Sequence, residues 1–452
     1  MSETRELLRI AAERGTRYVE GIANRRVSPA AEATAGLARI REKFPEGPME
    51  ARRVVEILDE VGSPATVAMT GGRYFGFVIG GVLPAALGAN WLAGAWGQNA
   101  CLRVMSPIAA ELEEIVLGWI CEALRLPADC EGGLVTCATA ANFCSLAAAR
   151  SALLARNGWN VEEDGMFGAP PIEVIVGEEY HASMHKALSM VGLGKNRVTR
   201  VPTDAQGRMC ADKLPAKMSA RTIVCIQAGN VNTGAFDPAE EICKRAKEAG
   251  AWVHVDGAFG LWARVSPKYD GLTRGLELAD SWAADAHKWP NVGYDCGVVL
   301  VRDGMALQRS MGMSAAYLQA GALREPTHHV PESSRRARGV ELWAALKSLG
   351  RSGLRDLIER TCEFAALFAE RLCAVGYEIL NDVVINQVLV SFGSAEKTQE
   401  VIRRVQADGT CWCGGTVWQG KTAMRISVSN WSTTREDVEK SVEAILRIAK
   451  DV

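Results

Sequence analysis

A lysine and an aspartate each lie in a short run whose composition suits chemistry. Lys288 lies in the segment 284–289 and Asp256 in the segment 254–260. Alanines, tryptophans and a proline surround Lys288 in the sequence, and apolar surroundings favour the neutral amine, which attacks a carbonyl carbon. A carboxylate can keep a proton on an aromatic ring nitrogen. The pair therefore predicts the Schiff-base chemistry of pyridoxal phosphate, with Asp256 as partner of the pyridine nitrogen.

Each of the two residues alone has an ordinary explanation. An aspartate at a strand end is often a helix cap or a turn residue, and surface lysines are common. The pair gains weight because both residues follow short apolar runs that predict strands, Trp252–Asp256 and Ser281–Ala284. Ligands of parallel α/β sheets bind at the carboxyl ends of strands, so both side chains are expected at one edge of a sheet.

The middle of the chain alternates between predicted strands and helical runs such as Ala239–Ala249. This alternation predicts an α/β fold with a mostly parallel sheet covered by helices. The other predicted strands of this region are Glu173–Val176, Arg197–Val201, Thr222–Gln227 and Gly297–Val301.

The pattern of predicted helices and strands divides the chain into three parts. Residues 1–70 have apolar residues at helical spacing and predict an N-terminal helical segment. Residues 71–345 contain the alternating elements and form the expected large cofactor-binding domain. Residues 346–452 mix helical runs with the strand candidates Tyr377–Leu380, Gln387–Phe392 and Ala423–Val428, which predicts a small α+β domain.

Composition excludes several classes of protein. The chain has 452 residues, 48% of them hydrophobic, and a net charge of -2, so a nucleic-acid partner is not expected. Its 13 cysteines are scattered, which is typical of reduced cytoplasmic thiols, and the pair Cys411 and Cys413 lacks the second pair that zinc needs. The stretch 74–102 carries no charge, but its glycines and amides argue against a membrane span.

Residues 415–422 match the phosphate-loop pattern G-x-x-x-x-G-K-[ST]. A phosphate loop requires a helix after it, whereas residues 423–429 predict a strand. We therefore interpret this segment as a turn before a strand.

Two further segments could contact a cofactor. Small and hydroxyl-bearing residues at 135–142 precede a helical run, 143–156, and free N–H groups at a helix start bind phosphate. The ordinary alternative is a helix cap made by Thr139. His181 follows the strand candidate at 172–176 and could stack on an aromatic ring, although a lone histidine is more often a cap or a core residue. His185 is the weaker candidate.

Taken together, these runs resemble the group II pyridoxal-phosphate-dependent amino acid decarboxylases, which have the aspartate aminotransferase fold, or fold type I. The resemblance covers roughly residues 70–360. The matching segments occur in family order: 136–142, 181–187, 234–238, 254–258, 287–288, 334–336 and 342–343.

The resemblance implies a role for each matching residue. Lys288 would hold pyridoxal phosphate, Asp256 would pair with its ring nitrogen, and His181 and Ala258 would lie on its two faces. The remaining implied contacts are Ala138, Thr139 and His287 near the phosphate, Asn230 near the cofactor, and Tyr74 and Phe75 in the substrate cavity. The resemblance also implies a homodimer with active sites at the subunit interface and a small-molecule substrate, an amino acid.

The chain departs from the family in ways that leave the reaction open. Cys137 and Ala138 replace two glycines, Ala140 replaces the usual glutamate, and Asn230 replaces a threonine. Relatives often use a loop tyrosine to protonate the product carbon; here the candidates are Tyr317, His328 and His329. The expected reaction is decarboxylation of an L-amino acid. The alternatives are carbon–carbon lyase, aminotransferase or oxidative deaminase chemistry, or a non-catalytic dimer, and the sequence names no substrate.

Overall fold

A computed structural model of the chain describes residues 2–313 and 323–452. The first part is helical, as the sequence predicts. Its four helices are α1 (Glu3–Gly21), α2 (Ala31–Gly36), α3 (Ala51–Ile57) and α4 (Ser63–Ala65).

A seven-stranded sheet forms the centre of the molecule. Its strands are β1 (Glu131–Val135), β2 (Glu173–Gly177), β3 (Val198–Val201), β4 (Thr222–Gln227), β5 (Trp252–Asp256), β6 (Ser281–Asp285) and β7 (Gly297–Val301). The order across the sheet is β1-β7-β6-β5-β4-β2-β3. Only β7 runs against its neighbours, so the predicted mostly parallel sheet is confirmed.

Six of these seven strands are predicted by the sequence, and β1 is not. Two of the five residues of β1 are glycines, which weaken a strand signal. The pairing explains the glycine at 132, because a Cβ atom there would collide with the carbonyl oxygen of Val299 on β7. Valine and isoleucine are frequent in the confirmed strands other than β6, and every residue of β4, β5, β6 and β7 is buried.

Helices cover the sheet. They are α5 (Pro84–Trp96), α6 (Pro107–Ala123), α7 (Ala138–Ala155), α8 (Val161–Asp164), α9 (Ala182–Met190), α10 (Ala239–Glu248), α11 (Asp270–Thr273) and α12 (Gly304–Met311). The helix α7 is buried along most of its length and packs on β1, β5, β6 and β7. This packing places the N-terminus of α7 at the edge of the sheet where β5 and β6 end.

The C-terminal part contains a four-stranded antiparallel sheet in the order β10-β11-β9-β8. Its elements are α13 (Gly339–Cys373), β8 (Glu378–Ile379), β9 (Gln387–Ser391), α14 (Ala395–Asp408), β10 (Gly414–Trp418), β11 (Lys421–Ser427) and α15 (Arg435–Lys450). The segment that matches a phosphate loop is the hairpin of β10 and β11, with Gln419 and Gly420 at its turn. The turn before a strand is therefore confirmed, while β10 was missed.

The expected domain boundary at residues 345 and 346 falls inside α13, which is one helix with a kink at Gly350. The three-part division stays a prediction. Within the described ranges, no helix is long and apolar enough to cross a membrane. The uncharged stretch 74–102 instead contains a buried loop followed by α5.

Candidate active site

Asp256 and Lys288 lie at the same edge of the central sheet. Asp256 is the last residue of β5 and lies level with Ala283 on the parallel strand β6. Asp285 ends β6, and Lys288 follows in the next turn. The sequence predicted this arrangement, because both residues follow strands that run in the same direction.

The surroundings of Lys288 differ from the expected apolar ones. Its Nζ lies 3.2 Å from Oδ2 of Asp285, and the side chain is 19% exposed. Nζ also lies 6.0 Å from the centre of the Phe259 ring. The amine therefore faces a carboxylate as well as apolar groups, a contact that its apolar sequence neighbours did not predict. Asp285 and Lys288 are three residues apart in one turn, which brings their side chains together.

Asp256 is buried and accepts several hydrogen bonds. Nδ2 of Asn142 donates to its Oδ2 at 3.0 Å, and the backbone N–H of Ala258 donates to its Oδ1 at 3.3 Å. The hydroxyl of Ser183 lies 3.5 Å from Oδ2. These donors fix the orientation of the carboxylate, and a carboxylate is the partner that a protonated ring nitrogen requires.

A buried chain of hydrogen bonds leads to Asp256 along the same face of the sheet. Trp252 Nε1 donates to Ser281 Oγ at 2.9 Å, Ser281 Oγ lies 3.0 Å from His254 Nδ1, and His254 Nε2 lies 2.9 Å from Asn142 Oδ1. Burial lowers the pKa of His254 to about 4, so its ring is neutral near pH 7. Sequence reasoning gave no role to Asn142 or His254. Strand alternation was the available signal, because it places His254 and Asp256 on one face.

His181 is both a cap and a neighbour of the charged groups. It is the N-cap of α9, and its Nδ1 accepts from the backbone N–H of Ser183 at 3.1 Å. The His181 side chain is exposed to solvent, but many protein atoms lie around its ring. Burial is the main cause that lowers its pKa; the positive charges of Lys288 and Arg425 lower it further, and Asp256 and Asp285 oppose them. His185 instead stacks on Tyr180, with 4.2 Å between ring centres.

The predicted phosphate turn leads directly into α7. The helix begins at Ala138, and the cap residue Cys137 makes no side-chain hydrogen bond to the helix within the described chain. Thr139 is therefore not the cap, and the N–H groups of Thr139 and Ala140 have no acceptor within the helix. The N–H of Ala138 donates to Oδ1 of Asp285 at 2.6 Å.

The other expected cofactor residues lie at the same edge. His287 is buried, its Nδ1 accepts from the N–H of Cys296 at 3.2 Å, and its Nε2 lies 3.7 Å from Oδ2 of Asp285. The carbonyl of Ala258 accepts from the N–H of Asp285. The amide of Asn230 is engaged in its own turn, through Asn232 and Thr233, and through the carbonyl of Glu179.

The two expected substrate residues have different surroundings. Tyr74 is buried and stacks on Trp412, with ring centres 5.1 Å apart. Phe75 is 1% exposed and packs edge-on against Phe368, so its side chain belongs to the C-terminal core and does not reach the site. Phe77 is the better candidate, because it is 59% exposed and its ring centre lies 5.3 Å from that of Trp412.

Gly80 connects this aromatic segment to the lysine turn. A Cβ atom at Gly80 would collide with the carbonyl oxygen of Lys288. Phe77 and Val78 also have positive φ angles of 53° and 57°, which are unusual outside glycine. Strained backbone of this kind clusters at functional sites, and here it directs Phe77 outward beside the lysine turn.

The three candidate proton donors have different outcomes. Tyr317 lies outside the described residues. His329 is buried, and its Nε2 lies 2.9 Å from Oε2 of Glu131, the first residue of β1. Glu131 is at the opposite edge of the sheet from Asp285, so the candidacy of His329 is wrong. His328 precedes it and lies near Gly312, at the end of α12.

Arg425 on β11 is a functional candidate that sequence reasoning missed. Burial lowers the pKa of its guanidinium, and its Nη1 donates to the carbonyl of Val231 at 3.3 Å. Within the described part of the chain, no carboxylate lies within ion-pair distance of it. A partly buried cation near His181 without a carboxylate partner is suited to bind an anion.

Comparisons with known proteins identify the class. A pyridoxal-dependent decarboxylase conserved domain matches residues 43–393. An aromatic-L-amino-acid decarboxylase of Drosophila lebanonensis is 27% identical over 390 residues, which cover 81% of this chain and 95% of that protein. The acidic amino acid decarboxylase GADL1 of Mus musculus is 30% identical over 301 residues, 64% of this chain and 54% of that protein. The crystal structure of Oryza sativa TDC with PLP and tryptamine has a TM-score of 0.91 at 22% identity, covering 99% and 98%.

The chain belongs to the pyridoxal-dependent decarboxylase family and has fold type I. It is a pyridoxal-phosphate-dependent carboxy-lyase. Its residues fit the cofactor, because one sheet edge holds an amine, a hydrogen-bonded carboxylate and two helix N–H groups without an intrahelical acceptor.

Proposed function

We propose that this enzyme removes the carboxyl group of an L-amino acid as CO2 and releases the amine. The observation that carries the proposal is the position of Asp256 and Lys288 at the ends of adjacent parallel strands. Bound pyridoxal phosphate supplies an electron sink for the bond that breaks. Asp256, held in place by Asn142 and Ala258, would keep the ring nitrogen protonated and so make that sink effective.

The other roles are proposals of the same kind. Lys288 would hold the cofactor aldehyde covalently and release it to the substrate amine. His181 would contact one face of the ring and Ala258 the other, while Asn230 would hold the turn beside them. Ala138 and Thr139 would bind the phosphate at the start of α7, and His287 would lie close to it.

The test is a product analysis with purified enzyme and pyridoxal phosphate. A panel of L-amino acids is assayed for CO2 and amine, and separately for aldehyde and keto acid, which distinguishes decarboxylation from the alternative reactions. We expect Lys288→Ala to lose turnover and the absorbance of lysine-bound cofactor, and the exposed Lys268→Ala to keep both. A protein that binds no pyridoxal phosphate would contradict the proposal.

The substrate class follows from two neighbouring features. Phe77 and Trp412 offer an aromatic surface, and Arg425 offers a positive charge. We propose that Arg425 binds an anionic group of the substrate. Among the relatives, one acts on aromatic and another on acidic amino acids by name, so both kinds belong in the panel.

We also propose a homodimer with active sites at the interface. The exposed fractions of Trp91, Leu92 and Trp96 on α5 are 46%, 56% and 45%, an unusual apolar surface for a monomer. This helix follows the segment that contacts the Lys288 turn. Sedimentation velocity should give a dimer, and Leu92→Glu should shift it toward monomer with loss of activity. The 13 free thiols support a cytoplasmic location.

A further inference from the structure

The carboxylate of Asp285 touches both groups that the cofactor is proposed to use. Its Oδ1 accepts from the N–H of Ala138 at 2.6 Å, at the start of α7. Its Oδ2 lies 3.2 Å from Nζ of Lys288 and 3.7 Å from Nε2 of His287. The side chain is buried, and its position at the end of β6 is fixed by the bond from its own N–H to Ala258.

Cofactor binding changes the charges around this carboxylate. With pyridoxal phosphate bound, Lys288 Nζ would be joined to the aldehyde carbon, with the aldehyde oxygen released as water, and would no longer be the free ammonium that pairs with Asp285. The phosphate would lie at the N–H groups beside Ala138. Two anions in contact cannot both stay ionised unless a cation or a proton lies between them.

The titratable groups around Asp285 supply no replacement cation near neutral pH. In its own turn, burial lowers the pKa of His287. On the following segment, burial raises the pKa of Tyr294 to about 12 and raises that of Cys296, so both stay neutral. Burial and neighbouring cations lower the pKa of His181 on the α9 side. Cys137, which precedes Ala138, has no cationic form to offer.

We propose that Asp285 is a phosphate-binding residue that takes up a proton when pyridoxal phosphate binds. Before binding, its carboxylate orients the Lys288 ammonium and accepts from Ala138. After binding, its protonated oxygen donates a hydrogen bond to the phosphate, and the proton comes from solvent. The inference rests on the proposed roles of Lys288 and the α7 turn.

Comparing two ligands separates the proposed protonation of Asp285 from the reaction of the aldehyde with Lys288. Pyridoxal has the same aldehyde as pyridoxal phosphate but lacks the phosphate. Isothermal titration calorimetry of the cofactor-free full-length enzyme, in buffers of different ionisation enthalpy at pH 8.5, counts the protons bound with each ligand. At this pH the phosphate is a dianion, because its second pKa is about 6. We expect about one more proton with pyridoxal phosphate than with pyridoxal.

Asp285→Asn should abolish this difference, because an amide can donate to phosphate without taking up a proton. The matched control is Asp280→Asn, at the other end of β6, where the carboxylate accepts from Val253 N–H and the difference should persist. Above neutral pH, the dissociation constant of pyridoxal phosphate should rise with pH in both proteins. Each pH unit should add about a further tenfold in the wild type relative to Asp285→Asn, because only the wild type binds the extra proton.

The outcomes separate the two proposals. If both ligands give the absorbance of a lysine-bound cofactor and equal proton counts in the wild type, the role of Asp285 is wrong and the proposed function stands. If neither ligand gives that absorbance, the proposed function fails and this inference fails with it. The wild-type comparison decides the question even if Asp285→Asn does not fold.

Discussion

Nδ2 of Asn142 donates a hydrogen bond of 3.0 Å to Oδ2 of Asp256. Because this amide uses its N–H group on Asp256, its oxygen is the acceptor for Nε2 of His254 at 2.9 Å. The other nitrogen of that ring then accepts from Ser281, whose oxygen accepts from Trp252. Every donor in the chain points toward Asp256, so the whole chain favours the negative charge at its end.

Asn142→Ala should weaken catalysis more than folding. It removes a buried hydrogen bond to a charged group, which is worth about 1.5–3 kcal/mol, so we expect kcat to fall about 10-fold to 100-fold. CO2 release is the measurement. Asn157→Ala, on the exposed segment after the same helix, should leave kcat unchanged. Equal kcat in wild type and Asn142→Ala would remove Asn142 from the site.

His254 should make the protein less stable in acid. Its pKa in the folded protein is about 4, below the ordinary value of about 6.5, so between these values the unfolded chain binds a proton that the folded chain does not. Stability is full above pH 6.5 and falls by about 3 kcal/mol toward pH 4. Urea unfolding of cofactor-free protein against pH measures this. His254→Gln should flatten that slope, and the half-buried His328→Gln should keep it.

Arg425→Met should separate binding from stability. Its guanidinium has no carboxylate partner in the described residues, so the apolar replacement should leave the melting temperature equal or higher. The loss of a cation that binds an anionic substrate group should raise KM about tenfold or more. Steady-state kinetics and thermal melts test both. A lower melting temperature with unchanged KM would mean a structural role.

Tyr317 and His329 should differ in their effects. His329 pairs with Glu131 at the sheet edge opposite Asp285, so His329→Gln should lower the melting temperature and leave kcat unchanged. If Tyr317 protonates the product carbon, Tyr317→Phe should reduce amine formation about 100-fold or more. Assays of amine and aldehyde measure the product. A normal amine yield from Tyr317→Phe would exclude it as the donor.

Much of the fold was predictable because buried parallel strands are continuous apolar runs. The buried strands β4, β5 and β6 follow that rule, and the direction of β5 and β6 places Asp256 and Lys288 together. The glycine-rich β1 does not follow it. Contacts between distant segments could not be predicted either, because no local pattern shows that Asn142 contacts Asp256 or that Arg425 lies near His181. Phe75 was misjudged because sequence order does not show which way a loop residue points.

The pairing of β1 with β7 has a consequence for synthesis on the ribosome. The first strand of the sheet can enter it only beside a strand that ends at Val301, because β7 is its partner. Until then the α7 turn and the Lys288 turn are not held together, although both have been translated. Arg425 and Trp412 arrive later still, with the last strands. The cofactor site therefore cannot be complete before Val301 has been translated, and the proposed substrate surface is completed last.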